Sequence, residues 1–385
     1  MITGESGITI CYILLAALNT LCFIIHINPN LQVLFQTPLI VYIGAVHSIR
    51  LYSKTTDTKK EGIETMTKKD AMLFPIIAGV TLGSLYLAFK FLDKDWVNFL
   101  FQFYFTIAGI AVITSFLYNR TKEGFPELTS NILFTLPQIK FITDAPTNFD
   151  VLYTLLMLVS SPIGIGYLVT KHYMLNNILG IFFSLFGIES FLLGSCHIGF
   201  ILLSALFFYD IYFVFFTPLM VTVAKNLDGP IKLMFPKIWE WESQKDFNMI
   251  GLGDIVLPGV FVALMFRFDY LRTLKNLMKK QDNLPKDKKN NTNIQFTLSN
   301  FNTFLWTFFG YFMGILSTLA IMNFFMHAQP ALLYLVPGVL IFSSLAALVG
   351  GYFSFFFGYD ENITLKELGI VEEEKKEKSE EAKTN

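Results

Sequence analysis

Ten apolar stretches dominate this chain, at 8–27, 35–51, 71–92, 96–118, 149–170, 173–193, 196–218, 249–271, 302–326 and 329–350. A bilayer span needs about 20 mostly apolar residues, which nine of them supply and the second only nearly does. Inside hydrocarbon no water meets backbone N–H and C=O groups, so such stretches must close their own hydrogen bonds as helices. The fold class expected is therefore an all-α integral membrane protein. Composition agrees: hydrophobic residues make up 53% and charged residues 15%, against about 25% charged in a soluble domain.

The first stretch reads two ways. It lies close to the N-terminus like the core of a signal peptide, but Met1–Gly7 carries Glu5 and no basic residue, and no clear small-x-small site follows Ile27. It is either a removed signal peptide or a tenth span. Basic residues orient the rest. Arg50, Lys54, Lys59, Lys60, Lys68 and Lys69 follow the second stretch; Arg120, Lys122 and Lys140 follow the fourth; Arg272, Lys275, Lys279, Lys280, Lys286, Lys288 and Lys289 follow the eighth; and Lys366, Lys375, Lys376, Lys378 and Lys383 lie in the tail. These belong on one side, the cytosol, together with the C-terminus, although Lys225, Lys232, Lys237 and Lys245 dilute the asymmetry. Sequons at Asn119, Asn290 and Asn362 fall on that side and are expected to stay unmodified. The polar stretches 281–295 and 371–385 read as solvated segments.

Several function classes are disfavoured at once. A net charge of -1 without a basic, aromatic-studded patch argues against nucleic acid. Cys11, Cys22 and Cys196 form neither a CxxC nor a metal spacing. His26, His47, His172, His197 and His327 lack the HExxH pairing of a helical zinc site, so no metal or other cofactor is expected. No Ser-His pair suited to a serine protease stands out, and no internal repeat suggests an inverted-repeat transporter.

An ionisable side chain within a span marks a functional candidate, because inserting it costs several kcal/mol, about 3 or more. Lys90, Glu189, Asp210, Asp254, Arg267 and Asp269 qualify; Lys90, Arg267 and Asp269 stand close enough to helix ends to snorkel or pair. Asp210, in Leu-Phe-Phe-Tyr-Asp-Ile-Tyr-Phe-Val, and Asp254, in Gly-Leu-Gly-Asp-Ile-Val-Leu-Pro, have no such exit. Their spans are consecutive and hence antiparallel. At 1.5 Å per residue Asp210 lies about 12 Å, and Asp254 about 8 Å, from the same membrane face. Two carboxylates that meet at one depth cannot both ionise and share a proton, the state in which one activates water and the other protonates a scissile carbonyl. Sequence does not say which does which. Gly251 and Gly253 clear side chains from the approach to Asp254, and Tyr209 either bonds at the site or packs. The same carboxylates could instead carry protons in a transporter, or serve a scaffold that binds spans without cutting them.

At these positions the chain resembles the signal peptide peptidase family, of the presenilin-type intramembrane aspartyl proteases. Tyr209-Asp210 matches the family's Tyr-Asp motif, Gly251-Leu252-Gly253-Asp254 its Gly-x-Gly-Asp motif, and Gln329-Pro330-Ala331-Leu332 its Gln-Pro-Ala-Leu motif. The Phe74-Pro75-Ile76-Ile77 run, Asn176-Asn177, and Val221-Thr222-Val223-Ala224-Lys225 with Pro230-Ile231-Lys232-Leu233 also look like this branch, so the likeness covers about 38 to 350. The resemblance implies a nine-helix bundle, catalysis by Asp210 and Asp254, and a role for Gln329, Pro330, Ala331 and Leu332 in holding substrate beside the pair. On residue type alone Pro330 could be no more than a first-turn proline. It also implies hydrolysis of leftover signal peptides and type II membrane segments, without obligatory cofactor subunits, in the endoplasmic reticulum membrane. The stretch 8–27 is additional to the usual nine spans, and the Lys-Lys-x-x retrieval signal with which relatives often end is internal here, at Lys375-Lys376-Glu377-Lys378. The short connection between the two aspartate-bearing spans is unlike the long presenilin loop that is cut during maturation.

The expected organisation is a signal-peptide-like segment at 1–28, an N-terminal bundle at 29–195, a catalytic half at 196–350 and a cytosolic tail at 351–385. Partners are transmembrane peptide substrates and the lipid bilayer, with a homo-oligomer as a further option. A helical substrate shields its carbonyls, so cleavage should favour spans weakened by Gly or Ser. In a series of otherwise identical substrates, Gly- or Ser-bearing spans should be cut faster than all-Leu spans; equal rates would refute this.

Overall fold

The computed structural model describes residues 5–24, 27–49, 65–122, 125–130, 132–136, 147–237, 247–282, 298–325 and 329–368. Every one of the ten apolar stretches falls on a helix. In chain order they are α1 (Glu5–Ile24), α2 (Pro29–Ser48), α3 (Lys68–Phe91), α4 (Lys94–Thr121), α6 (Val151–Thr170), α7 (Tyr173–Ser190), α8 (Cys196–Phe215), α10 (Leu252–Asp282), α11 (Asn302–Phe325) and α12 (Leu332–Val349). Among the described residues seven of them, α2, α3, α4, α6, α8, α11 and α12, are long and apolar enough to cross a membrane. The chain is an all-α, multi-pass membrane protein.

Shorter elements lie between the spans. Helix α5 (Pro126–Ser130) precedes a hairpin of β1 (Ile132–Leu136) and β2 (Thr147–Asp150). Helix α9 (Leu219–Asn226) precedes a second hairpin, β3 (Lys232–Pro236) with β4 (Phe247–Gly251). Helices α13 (Phe353–Phe357) and α14 (Glu361–Glu367) follow α12. Polar side chains mark where the spans start. Thr67 and Asp70 form a capping box at α3, and Asp93, Asp150 and Ser195 cap α4, α6 and α8.

Helix α10 is the hub. It packs against α2, α7, α8, α11 and α12, and every residue from Val260 to Asp269 is buried. A helix buried all round is a core helix. At the other extreme α3 turns most of its apolar surface outward, through Ile76, Ile77 and Val80, as a lipid-facing helix should. Helix α2 bridges α7, α10 and α11; its Gln32 and Gln36 are buried, turned inward away from lipid. Helix α1 packs on α2, and the hydroxyl of its Tyr12 meets Nε2 of His47 at 2.5 Å.

Helices α11 and α12 meet backbone to backbone. A Cβ placed on Gly310 would lie 2.5 Å from the Gly338 carbonyl oxygen, and one on Gly314 would lie 2.9 Å from Leu335 Cα. Small residues four apart allow this approach, and contact area rather than water drives it in lipid.

Most of the charges flagged inside spans have structural partners. Arg120 of α4 lies 3.6 Å from Glu189 of α7 and 3.3 Å above the Phe116 ring. Arg267 pairs with Glu361 at 3.2 Å, both wholly buried. Asp269 accepts the Phe304 N–H at 2.8 Å, and Lys90 rests over Phe91 at the end of α3.

The start of the segment expected as a tail is part of this body: Phe356, Glu361 and Leu365 are fully buried, because a phenylalanine-rich turn and the Arg267 partner draw it inward. Among the sequons, Asn119 lies in the last turn of α4, and Asn362 donates to Thr65 Oγ1 at 3.1 Å. Asn290, the stretch 371–385, most of 281–295 and many of the orienting lysines lie outside the described residues.

The α11–α12 contact yields a test. Gly310→Leu should lower the stability of the detergent-solubilised protein by about 1–3 kcal/mol, read as a fall in melting temperature. A Gly83→Leu control, where a Cβ meets nothing within 4 Å, should leave it unchanged.

Candidate active site

Asp210 is in the second half of α8 and is buried. Its Oδ2 accepts the backbone N–H of Leu332 at 3.1 Å. That amide belongs to the first turn of α12, whose N-cap, Ala331, offers no side-chain hydrogen bond. The first N–H groups of a helix have no partner within it. Here one of them is satisfied by a carboxylate from another helix, which also sets negative charge against the positive end of the helix dipole.

Asp254 is the third residue of α10, not five residues into a span as the sequence suggested. The residues before it, 247–251, are strand β4, paired with β3. The shift has a local cause. β4 is held extended by its ladder, and the Leu252 N–H continues that ladder to the Ile231 carbonyl at 2.9 Å. Asp254 accepts the Gly251 N–H, as an acidic residue at the third helical position does in a capping box. A Cβ on Gly251 would stand 3.3 Å from Asp254 Oδ2, so side-chain-free backbone suits this contact. Gly253 is exposed, and a Cβ there would meet only Leu257, at 4.0 Å. The half-buried Asp254 therefore has an open side.

The two carboxylates lie within electrostatic range of each other, on consecutive spans that touch. The third motif joins them. Pro330 is buried, Gln329 and Ala331 are half-buried, and all three precede helix α12 instead of opening it, so Pro330 is not a first-turn proline. Tyr209 packs its ring on Phe213 at 4.5 Å and faces Gly79 of α3. The structure thus brings together Asp210, Asp254, Gly251, Gly253 and the segment 329–332, and turns Tyr209 toward an aromatic neighbour.

Comparison with known proteins decides the family. A model of the signal peptide peptidase family matches residues 58–363. The chain belongs to the signal peptide peptidase family. It is 38% identical to mouse signal peptide peptidase over 338 residues, covering 86% of this chain and 82% of that protein. It is 36% identical to the human one over the same length, covering 86% and 83%. It is also 41% identical to intramembrane protease 2 of Caenorhabditis elegans over 219 residues, covering 56% and 44%. The protein is an intramembrane aspartic protease, acting on transmembrane substrates within a bilayer.

Sequence reasoning had passed over three features of this protease. Tyr311 of α11 is wholly buried within electrostatic range of Asp254; one tyrosine among 16 gave no signal. Asn248 of β4 donates to Asn30 of α2 at 2.7 Å, and Asn30 donates to Asn323 of α11 at 3.2 Å. Asn176 and Asn177 of α7, quoted only as part of the resemblance, bond to β3.

The Asp210–Leu332 bond separates two substitutions. Asp210→Asn keeps an oxygen for the Leu332 N–H, whereas Asp210→Ala leaves that buried amide without it. Asp210→Ala should be the less stable of the two by about 1–3 kcal/mol, measured by thermal unfolding in detergent.

Proposed function

We propose that Asp210 and Asp254 are the catalytic pair, and that the protease hydrolyses leftover signal peptides and type II membrane segments in the endoplasmic reticulum membrane, with its C-terminus cytosolic. The observation that carries the first part is that both carboxylates lie within electrostatic range of each other, with Asp210 bonded to the start of α12. One carboxylate is ionised and takes a proton from a water. The water oxygen bonds to the scissile carbonyl carbon while the protonated carboxyl gives its proton to the carbonyl oxygen. The tetrahedral diol then collapses: the protonated carboxyl gives its proton to the nitrogen, the other carboxylate takes one from a diol hydroxyl, and the C–N bond breaks, which leaves the pair with one proton as at the start. The pair acts as a unit, with roles exchanged between the two halves of the reaction. The likeness to the mouse and human signal peptide peptidases supports the choice of signal peptides as substrates. The positive residues after the second, fourth and eighth apolar stretches support the orientation.

A helical span must become extended before its carbonyl can be reached. The β3–β4 hairpin supplies a template. In an antiparallel pair, residues alternate between turning their backbone groups toward the partner and away from it. The Leu252-to-Ile231 bond and the register Leu233↔Ile250, Phe235↔Asn248 leave Phe247, Met249 and Gly251 of β4 with N–H and C=O turned to its other edge. The Gly251 N–H there goes to Asp254. A substrate strand laid along this edge pairs with Met249 and leads toward Asp254, the strand-addition mode of peptide recognition.

Purified protease should be incubated with a signal-peptide-derived span. Wild type should cut within the span, and Asp210→Asn and Asp254→Asn, each folded, should lose cutting by at least about 1,000-fold. A folded variant that cuts at the wild-type rate would remove that aspartate from the site.

A further inference from the structure

The β3 strand has an outer edge of its own, and α7 covers it. Asn177 Nδ2 donates to the Met234 carbonyl at 2.8 Å, and Asn177 Oδ1 accepts the Met234 N–H at 2.8 Å. Asn176 Nδ2 donates to the Lys232 carbonyl at 2.7 Å and lies 3.5 Å from Asn177 Oδ1. Both asparagines are buried. One amide that gives and takes a bond at a single residue reproduces what a neighbouring strand would supply there. One turn further along α7, a Cβ on Gly180 would lie 2.8 Å from Leu233 Cδ2, so the helix is shaped to let β3 lie against it.

We propose that Asn176 and Asn177 are positioning residues for cleavage: a side-chain third strand that closes β3 to substrate, fixes the hairpin against α7, and so sets which substrate bond faces Asp254. The inference rests on the reading that substrate adds to β4. It goes beyond satisfying a buried strand. An open edge is a template for any extended chain. A two-stranded sheet with both edges open would admit a substrate on β3 as well, one strand further from Asp254. A strand register held only by short-range pairing also slips, and the smallest slip that keeps each side chain on its own face is two residues. With β3 pinned at Lys232 and Met234, neither option is open, and the outward groups of Met249 hold a fixed offset from Asp254 along the chain.

Two readouts test this in the purified, full-length protease. The first is the mass of the products from one transmembrane peptide. The second is disulfide trapping of a substrate bearing a single cysteine, by Met249→Cys or Met234→Cys. Asn177→Ala, which loses both bonds to Met234, should raise the share of products displaced by two residues about tenfold. It should also weaken trapping at Met249→Cys and create it at Met234→Cys. Asn176→Ala, which loses the bond to Lys232, should give the same shift to a smaller extent, and it carries the test if Asn177→Ala does not fold. Leu179→Ala, a buried change on the same helix outside the hairpin contact, should slow all products in common proportion. If the asparagine variants merely slow every product as Leu179→Ala does, the pair is structural and the proposal fails. If the Met249→Cys protease, with Asn176 and Asn177 intact, cuts normally but never traps the substrate, the β4 reading itself fails, and the proposal with it.

Discussion

The arrangement of this protease depends on one hydrogen bond, from the Leu332 N–H to Asp210. In hydrocarbon a helix that begins below the surface leaves amides that nothing else can satisfy. Helix α12 begins among buried residues, after Pro330 and without a side-chain cap. Asp210 meets the need and is in turn held at a fixed depth. The bond thereby joins the Tyr-Asp and Pro-Ala-Leu motifs as two parts of a single contact. The close glycine seam between α11 and α12 holds that helix start against its neighbour, so the geometry at Asp210 is set partly by residues of α11.

Around this junction the core divides its labour. α10 is surrounded by other helices, and its aromatic residues interlock: Phe266 stacks on Phe301 at 4.8 Å, and Phe268 meets Tyr359 at 4.8 Å. Its N-terminal end is different. There the chain turns into a strand, the glycines thin the packing, and Asp254 keeps an open side. A rigid body with a loosely covered end suits chemistry that must admit both water and an unwound peptide. The helix is held from both nominal halves of the chain, since α2 and α7 grip it as firmly as α8 and α12 do.

The spans were legible because burial in lipid demands long apolar runs, and each run proved to be a helix. Asp210 and Asp254 were legible because a carboxylate in such a run has no ordinary use. Where the reading fell short, the cause was long-range pairing. Phe247–Gly251 adjoins the apolar run of α10 and carries no strand signal of its own; its pairing with β3, which Asn177 holds, the ladder at Leu252 and the Asn248–Asn30 bond keep it extended. Helix α2 looked short because Asn30, Gln32 and Gln36 interrupt its apolar pattern, yet Asn28 and Pro29 start it early and the two glutamines face protein. Arg267 was expected to snorkel or pair, and Glu189 stood as a candidate; their partners, Glu361 and Arg120, are far away in sequence.

The Arg267–Glu361 pair also orders events in time. Arg267 belongs to the same helix as Asp254, and its carboxylate partner is encoded 94 residues later. A buried guanidinium without that carboxylate costs several kcal/mol, about 3 to 5. During synthesis, therefore, α10 cannot settle into its final depth until the chain beyond Glu361 has emerged and folded back beneath it. A chain interrupted before Glu361 would leave Arg267 without that carboxylate, on the helix that also carries Asp254.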